Sequence, residues 1–370
     1  MRVLILSCDT GGGHNSCAFA IRQAFSEKDI CCDTADALAF ISDRFSKFMS
    51  RGHTMMYRRV PGLFRFGYGF AEKHRSVLEE KTGVYKLLTS GTEELHSFLQ
   101  KGGYDAVICT HVFSGMLMQQ MLLEYPMNIK TAFVATDYTC SPGMPKKGMD
   151  YYFISASSLA EEFIMKGVPK EKIVPSGIPV RKEFYIRKDK DEAKRKLGIS
   201  PENSHLLMMC GSMGCGPIEK LAELIGKKMS ADMELSVICG TNEKLREELA
   251  EKFSGNPNIH ICGFVKNISE FMDSADLYIT KPGGLSSSEA TVKGLPMVLI
   301  DAVAGCEKFN LEFFVSLGGA VTAETPEELA KICINLLYDE TKRKAMSKAL
   351  ESAVSGNAAN IICEIMCEEV

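Results

Sequence analysis

The sequence predicts an α/β protein of two parallel-sheet halves, and three observations predict it. An apolar run ending in a glycine-rich turn ahead of a helix-like stretch occurs twice, as VLILSCDTGGGH (3–14) and LLMMCGSMGCG (206–216). Such a turn lets backbone N–H groups approach an anion, and the helix behind it adds about half a positive charge. Runs that are apolar at consecutive positions alternate with amphipathic stretches, which indicates parallel strands covered on both faces. The length of 370 residues exceeds what one core supports, so two domains are expected.

The first half reads strand RVLILSC, a helix from about Asn15, strand ICCDTADAL, and later strands in YDAVICTH, IKTAFVATD and DYYFISAS. The pattern breaks at SGIPVRKEFYIRKDKDEAKRKLGISPEN, where Pro179, a charge run and Pro201 mark a linker from about Ile178. Asp189 and Asp191 form a D-x-D there, but they lie in a lysine-rich run with no strand before it, and a solvated linker explains them. The second half repeats the alternation: HLLMMCGS, a helix from Pro217, ELSVICGT, a helix over Glu243 to Phe253, NIHICGF, ADLYITKPGG and PMVLIDAV. Thr325, Pro326 and Glu328 spell a capped helix start, and helices follow to Val370. The expected domains are 1–177 and 178–370, with a last helix over about 355–370 packing back on the first.

Composition narrows the function classes. A net charge of −4 with 24% charged residues lacks the basic excess of a nucleic-acid binder. No apolar run approaches the roughly 18 residues of a membrane span, and the chain enters a strand directly after Met1 and Arg2. Neither signal peptide nor transmembrane anchor is expected. Fourteen cysteines without any C-x-x-C read as core residues of a reducing cytosol. Cys363 and Cys367, one helical turn apart, lack a second pair to complete a metal site.

Two stretches carry the chemistry of a nucleotide site. GSMGCG (211–216) follows a strand and precedes a helix, which suits a diphosphate; it lacks the GK[ST] of an ATPase loop. KPGGLSSSEA (281–290) ends another strand with two glycines, three serines and Glu289. An ionised carboxylate accepts hydrogen bonds from both ribose hydroxyls, so Glu289 is the expected ribose ligand; the competing reading makes the serines a helix cap and Glu289 a dipole partner.

These motifs, together with GGGH, SGIPVR (176–181), GFVKN (263–267), TKPGGLSSSEATVKGLP (280–296) and AGCEKFN (304–310), resemble glycosyltransferase family 28. The similar branch is the monogalactosyldiacylglycerol synthase and processive diacylglycerol glucosyltransferase group. The resemblance implies the GT-B fold, two Rossmann-like domains facing across a cleft, and inverting transfer of glucose or galactose from a UDP-hexose to a lipid hydroxyl such as that of diacylglycerol. It places Ser212, Met213 and Gly214 on the diphosphate, Phe264 and Val265 at the uracil, and Lys281, Gly284 and Ser286 beside the phosphates. Glu289 would hold the ribose, and Glu307 with Asn310 the hexose. One departure stands out: relatives read GQEK where this chain has Gly305-Cys306-Glu307-Lys308, and a thiol does not replace a bidentate amide. Gly12, Gly13 and His14 resemble the acceptor-side loop. A histidine there removes the proton of an attacking hydroxyl near neutral pH, so His14 is the expected base. Asp137, in ATDYTCSPG, would orient it or be the base itself, and His111 is a further candidate with a structural role preferred. No cofactor or metal is expected.

Residues 44–71 contain six Lys/Arg and no acid. Phe45, Phe48 and Phe64 with Arg51, Arg58, Arg59 and Arg65 fit an anionic membrane surface, at about 1 kcal/mol per cation. The expected location is therefore cytoplasmic, peripheral on the inner face of the cell membrane. Rival readings are transfer to another lipid acceptor, a UDP-N-acetylglucosamine 2-epimerase, a non-catalytic UDP-sugar sensor, and an NAD oxidoreductase using GGGHNS with Asp33.

Overall fold

The computed structural model describes residues 1–8, 12–42, 82–211, 217–300, 302 and 305–368. The chain divides into two compact units. One comprises Met1–Lys182, Ala304–Cys306 and Ser355–Val370; the other comprises Glu183–Val303 and Glu307–Val354.

The first unit runs β1 (Arg2–Ser7), α1 (Gly12–Ser26), β2 (Cys31–Asp36), α2 (Gly83–Leu88), α3 (Thr92–Gly102), β3 (Ala106–Cys109), α4 (Val112–Glu124), β4 (Lys130–Val134), β5 (Tyr151–Ile154), α5 (Ala160–Met165) and β6 (Ile173–Pro175). Among the described residues its six strands form one sheet, β2-β1-β3-β4-β5-β6, with every pairing parallel. Consecutive apolar residues in β1 serve opposite faces. Leu4 and Leu6 join a core with Met116, Leu117 and Met121 of α4, while Val3 and Ile5 join Cys17, Ile21 and Phe25 of α1. The order reverses between β1 and β3, so α1 and α4 leave adjacent strand ends on opposite faces of the sheet. In open parallel sheets that crevice is where ligands bind.

α1 begins at Gly12, ahead of the expected Asn15, so Gly13 and His14 belong to its first turn. The end strand β6 was not legible in the sequence, because three residues ending at a proline carry no periodicity.

The second unit runs α6 (Lys190–Lys196), β7 (Ser204–Met209), α7 (Ile218–Gly226), β8 (Met233–Ile238), α8 (Glu243–Lys252), β9 (Ile259–Cys262), α9 (Ile268–Ser274), β10 (Leu277–Thr280), α10 (Gly284–Lys293), β11 (Met297–Leu299), α11 (Cys306–Leu317), β12 (Ala320–Val321), α12 (Pro326–Tyr338) and α13 (Glu340–Ser352). The order β9-β8-β7-β10-β11-β12 is that of a dinucleotide-binding sheet, with its reversal between β7 and β10. α14 (Ala358–Cys367) belongs to the first unit, where Ile362, Cys363 and Met366 complete the core under α1. Lys130 holds its end by donating to the carbonyls of Ile365 and Glu368 at 2.9 and 2.7 Å.

Local chemistry explains the boundaries. Asp189 of the D-x-D caps α6, accepting the Glu192 N–H at 2.9 Å. Thr325 and Glu328 close the capping box of α12. Gly294 ends α10 at φ +63°, a left-handed conformation that favours glycine and strains other side chains. Burial pushes the thiols of Cys109, Cys333 and Cys363 up to about 12, which marks them as inert core groups.

Candidate active site

At the reversal of the first sheet, the carboxyl ends of β1, β3 and β4 bring together residues that lie far apart in sequence. His14, in the first turn of α1, places Nδ1 at 3.0 Å from the Thr110 carbonyl after β3 and 3.2 Å from the Thr136 hydroxyl after β4. A carbonyl only accepts, so Nδ1 carries the proton and Nε2 keeps its lone pair. Burial lowers the His14 pKa from its ordinary value, against the upward pull of the Asp137 carboxylate and the Thr110 carbonyl. The ring is therefore neutral at pH 7, with its basic nitrogen uncommitted to those two partners.

His111 meets His14 edge to face, with ring centroids 4.5 Å apart. It is the N-cap of α4: its Nδ1 accepts the Phe113 N–H at 3.0 Å, and the Ser114 hydroxyl returns to the His111 backbone. The cap requires an unprotonated Nδ1, which leaves the proton of a neutral His111 on Nε2. The Ser7 and Thr110 hydroxyls, at the ends of neighbouring strands, are buried and have no hydrogen-bond partner among the described residues. The loop after β4 is tied down at several points. The Asp137 carbonyl accepts from Ser155 at 2.8 Å, and Glu162 accepts from the Thr139 hydroxyl and the Cys140 N–H at 2.8 and 3.1 Å. Burial opposes ionisation of Glu162, but Lys166 and these donors outweigh it and hold its pKa below the usual value.

In the second unit the expected donor residues lie at the carboxyl ends of β9 and β10. Lys281, Pro282 and Gly283 make a tight turn into α10, and Lys281 is buried. The carbonyl of Pro282 accepts from the Asn310 amide of α11 at 2.9 Å, and Asn310 is fully buried. Gly284 and Ser286 occupy the first turn of α10, where unpaired N–H groups collect. Of the three serines, Ser288 bonds back to the Gly284 carbonyl and Ser286 weakly to that of Gly283. Ser287 is fully buried, and its hydroxyl has no partner among the described residues. Glu289 is only 5% exposed. Burial raises the Tyr278 phenol well above its ordinary value, and the charge of Glu289 adds to that rise. Phe264, just after β9, is 63% exposed, an apolar ring presented to solvent beside the half-buried Val265. Glu307 lies in the first turn of α11.

Ser212, Met213 and Gly214 lie outside the described residues, as do Phe45, Phe48, Arg51, Arg58, Arg59, Phe64 and Arg65. Sequence reasoning missed Thr110 and Thr136, whose only signal was a threonine at the end of each strand, and Lys293. The last pairs with Asp273 at 2.7 Å and donates to the Ile186 carbonyl at 2.6 Å, anchoring the end of α10. His205 and His260, which had no visible partners in the sequence, sit in polar networks. His205 lies between Ser236 and Ser274, both at 2.9 Å, and His260 pairs with Glu234 at 2.6 Å. Asp33 does not serve a nucleotide: it is held by Arg2 at 2.8 Å and by the Tyr104 hydroxyl at 2.9 Å, with Arg2 at the amino end of β1, away from the glycine turn. That removes the residue on which the oxidoreductase reading depended.

The family model for monogalactosyldiacylglycerol synthase matches residues 14–180, and that for glycosyl transferases group 1 matches residues 218–352. The chain is 31% identical to the processive diacylglycerol beta-glucosyltransferase of Staphylococcus epidermidis over 276 residues, 74% of this chain and 70% of that relative. With the enzyme of the same name from Bacillus licheniformis it shares 30% identity over 374 residues, covering 99% and 94% of the two chains. Among solved structures, MurG of Acinetobacter baumannii matches with a TM-score of 0.66 at 12% identity over 99% of both chains, a likeness of fold. Two parallel Rossmann-like sheets with these sequence matches show that the chain belongs to the monogalactosyldiacylglycerol synthase and processive diacylglycerol glucosyltransferase family, glycosyltransferases of the GT-B fold.

Proposed function

We propose that the protein transfers glucose or galactose from a UDP-sugar to the free hydroxyl of diacylglycerol, with inversion, as a peripheral enzyme of the inner membrane face. The observation that carries the reading is the state of His14: its Nδ1–H points at the Thr110 carbonyl, which leaves Nε2 as a proton acceptor. The names of the relatives support diacylglycerol as the acceptor. Inversion in one displacement needs a base on the attacking hydroxyl. The hydroxyl oxygen bonds to the anomeric carbon as its proton passes to His14 Nε2. The bond from that carbon to the diphosphate oxygen breaks, and UDP leaves with the electron pair. The carboxylate of Asp137 stabilises the imidazolium that forms.

On the donor side, Glu289 is assigned to the ribose, Phe264 and Val265 to the uracil, and Lys281 with the first turn of α10 and Ser212–Gly214 to the diphosphate. Glu307 and Asn310 are assigned to the hexose. Helix N-termini and Lys281 stabilise the leaving diphosphate, so transfer proceeds without a divalent ion. Activity lost to a chelator and restored by manganese would overturn that clause. His14→Ala tests the central assignment: turnover falls by about 10²-fold or more while UDP affinity stays near normal. Loss of UDP binding with turnover retained at saturating donor would refute the base.

A further inference from the structure

We propose that Thr136 is a positioning residue for the base: its hydroxyl is the second acceptor on His14 Nδ1–H, fixing the orientation of the ring and stabilising the imidazolium formed when Nε2 takes the substrate proton. The inference rests on the reading of His14 as the base and goes beyond it to what makes His14 competent. Three observations carry it. The Nδ1 to Oγ1 distance is 3.2 Å, alongside 3.0 Å to the Thr110 carbonyl, so one N–H is shared between two acceptors from different strand ends. Because the carbonyl already requires the proton on Nδ1, the Thr136 hydroxyl accepts there, and its own O–H points elsewhere. Finally, Thr136 stands at the root of a loop fixed by Ser155, Glu162 and Lys166, the last donating to the Cys140 carbonyl at 2.8 Å, so its hydroxyl is placed by the fold.

The chemical consequence follows from charge. An acceptor on Nδ1–H interacts more strongly with imidazolium than with neutral imidazole, so it stabilises the state His14 reaches when it takes the substrate proton. It also opposes rotation of the ring, while the Thr110 carbonyl, which can only accept, sets the tautomer that leaves the Nε2 lone pair to the substrate. The carboxylate of Asp137 acts on the same ring through space, whereas Thr136 acts through a directed bond.

The test compares Thr136→Val, which keeps the shape and deletes the hydroxyl, with Thr136→Ser, which keeps the hydroxyl. Two readouts are used: kcat and KM against pH, and the ring nitrogens of 15N-histidine-labelled protein, with the His14 signals identified by their loss in His14→Ala. Thr136→Val is expected to lower kcat about 3- to 10-fold with KM for the UDP-sugar unchanged, since the Thr110 carbonyl remains as one acceptor. His14 should titrate at lower pH in this variant while keeping the Nδ1–H tautomer set by the Thr110 carbonyl, and Thr136→Ser should restore kcat and the titration. Thr136→Val with wild-type titration and kcat overturns the inference. So does Thr136→Ser impaired as much as Thr136→Val, which would assign Thr136 to packing through its methyl group. If His14→Ala retains full turnover, the base reading fails instead, and the nitrogen signals still report whether Thr136 fixes the ring.

Discussion

Glu289→Gln separates a ribose ligand from a helix-start dipole partner. Glu289 is 5% exposed, in the helix that leaves β10 at the reversal of the second sheet. Glutamine keeps the shape of the side chain, removes the charge, and replaces one acceptor oxygen with a donor. Charge-assisted hydrogen bonds contribute about 1.5–3 kcal/mol and neutral ones about 1 kcal/mol. With two ribose hydroxyls donating to one carboxylate, the substitution should cost about 2–3 kcal/mol, raising the Kd for UDP about 30- to 150-fold. Titration calorimetry with UDP and with 2′,3′-dideoxy-UDP reads it directly. The dideoxy nucleotide has no hydroxyls to lose, so wild type and variant should bind it with similar affinity. Equal weakening of both ligands would refute the ribose assignment and leave Glu289 as a structural group.

Two further outcomes are expected. Burial drops the His205 pKa from the ordinary 6.5 to about 4. Between those values the unfolded chain binds the proton that the folded chain refuses, so stability falls as pH falls through this window, by up to about 3 kcal/mol. Denaturant midpoints at pH 7 and pH 4.5 should diverge less in His205→Gln than in wild type; an unchanged divergence would show that other groups drive acid unfolding. For residues 44–71, replacing Arg51, Arg58, Arg59 and Arg65 by Glu should abolish cosedimentation with anionic vesicles while UDP binding persists. A charge-reversed protein that pellets as well as wild type would remove the membrane role from this segment.

The fold was legible where burial writes itself into consecutive residues. β1, β7, β8 and β10 carry apolar residues at consecutive positions because helices cover both faces, and the Thr325 cap announced α12 outright. The strands β6 and β12, of three and two residues, left no pattern to read. The stretch from Lys281 to Glu289, proposed to bind the donor, is contiguous, so its grouping needed only one strand end and one helix start. The surroundings of His14 were hidden for the opposite reason. Thr110 and Thr136 lie 96 and 122 residues from it, and only the parallel pairing of β1, β3 and β4 brings three strand ends together. Asp137 was visible as a charge near a strand end, whereas the atoms that bond His14 Nδ1 are a main-chain carbonyl and a hydroxyl.

The most direct measurement is of the product. Purified protein is incubated with UDP-glucose or UDP-galactose and vesicles of diacylglycerol with anionic phospholipid, and the extracted lipids are analysed by mass and anomeric configuration. The account predicts a β-glycosyldiacylglycerol formed in step with UDP release, both slowed by about 10²-fold or more in His14→Ala. UDP-sugar epimerised or hydrolysed with no glycolipid formed, or an α-linked product, would contradict it.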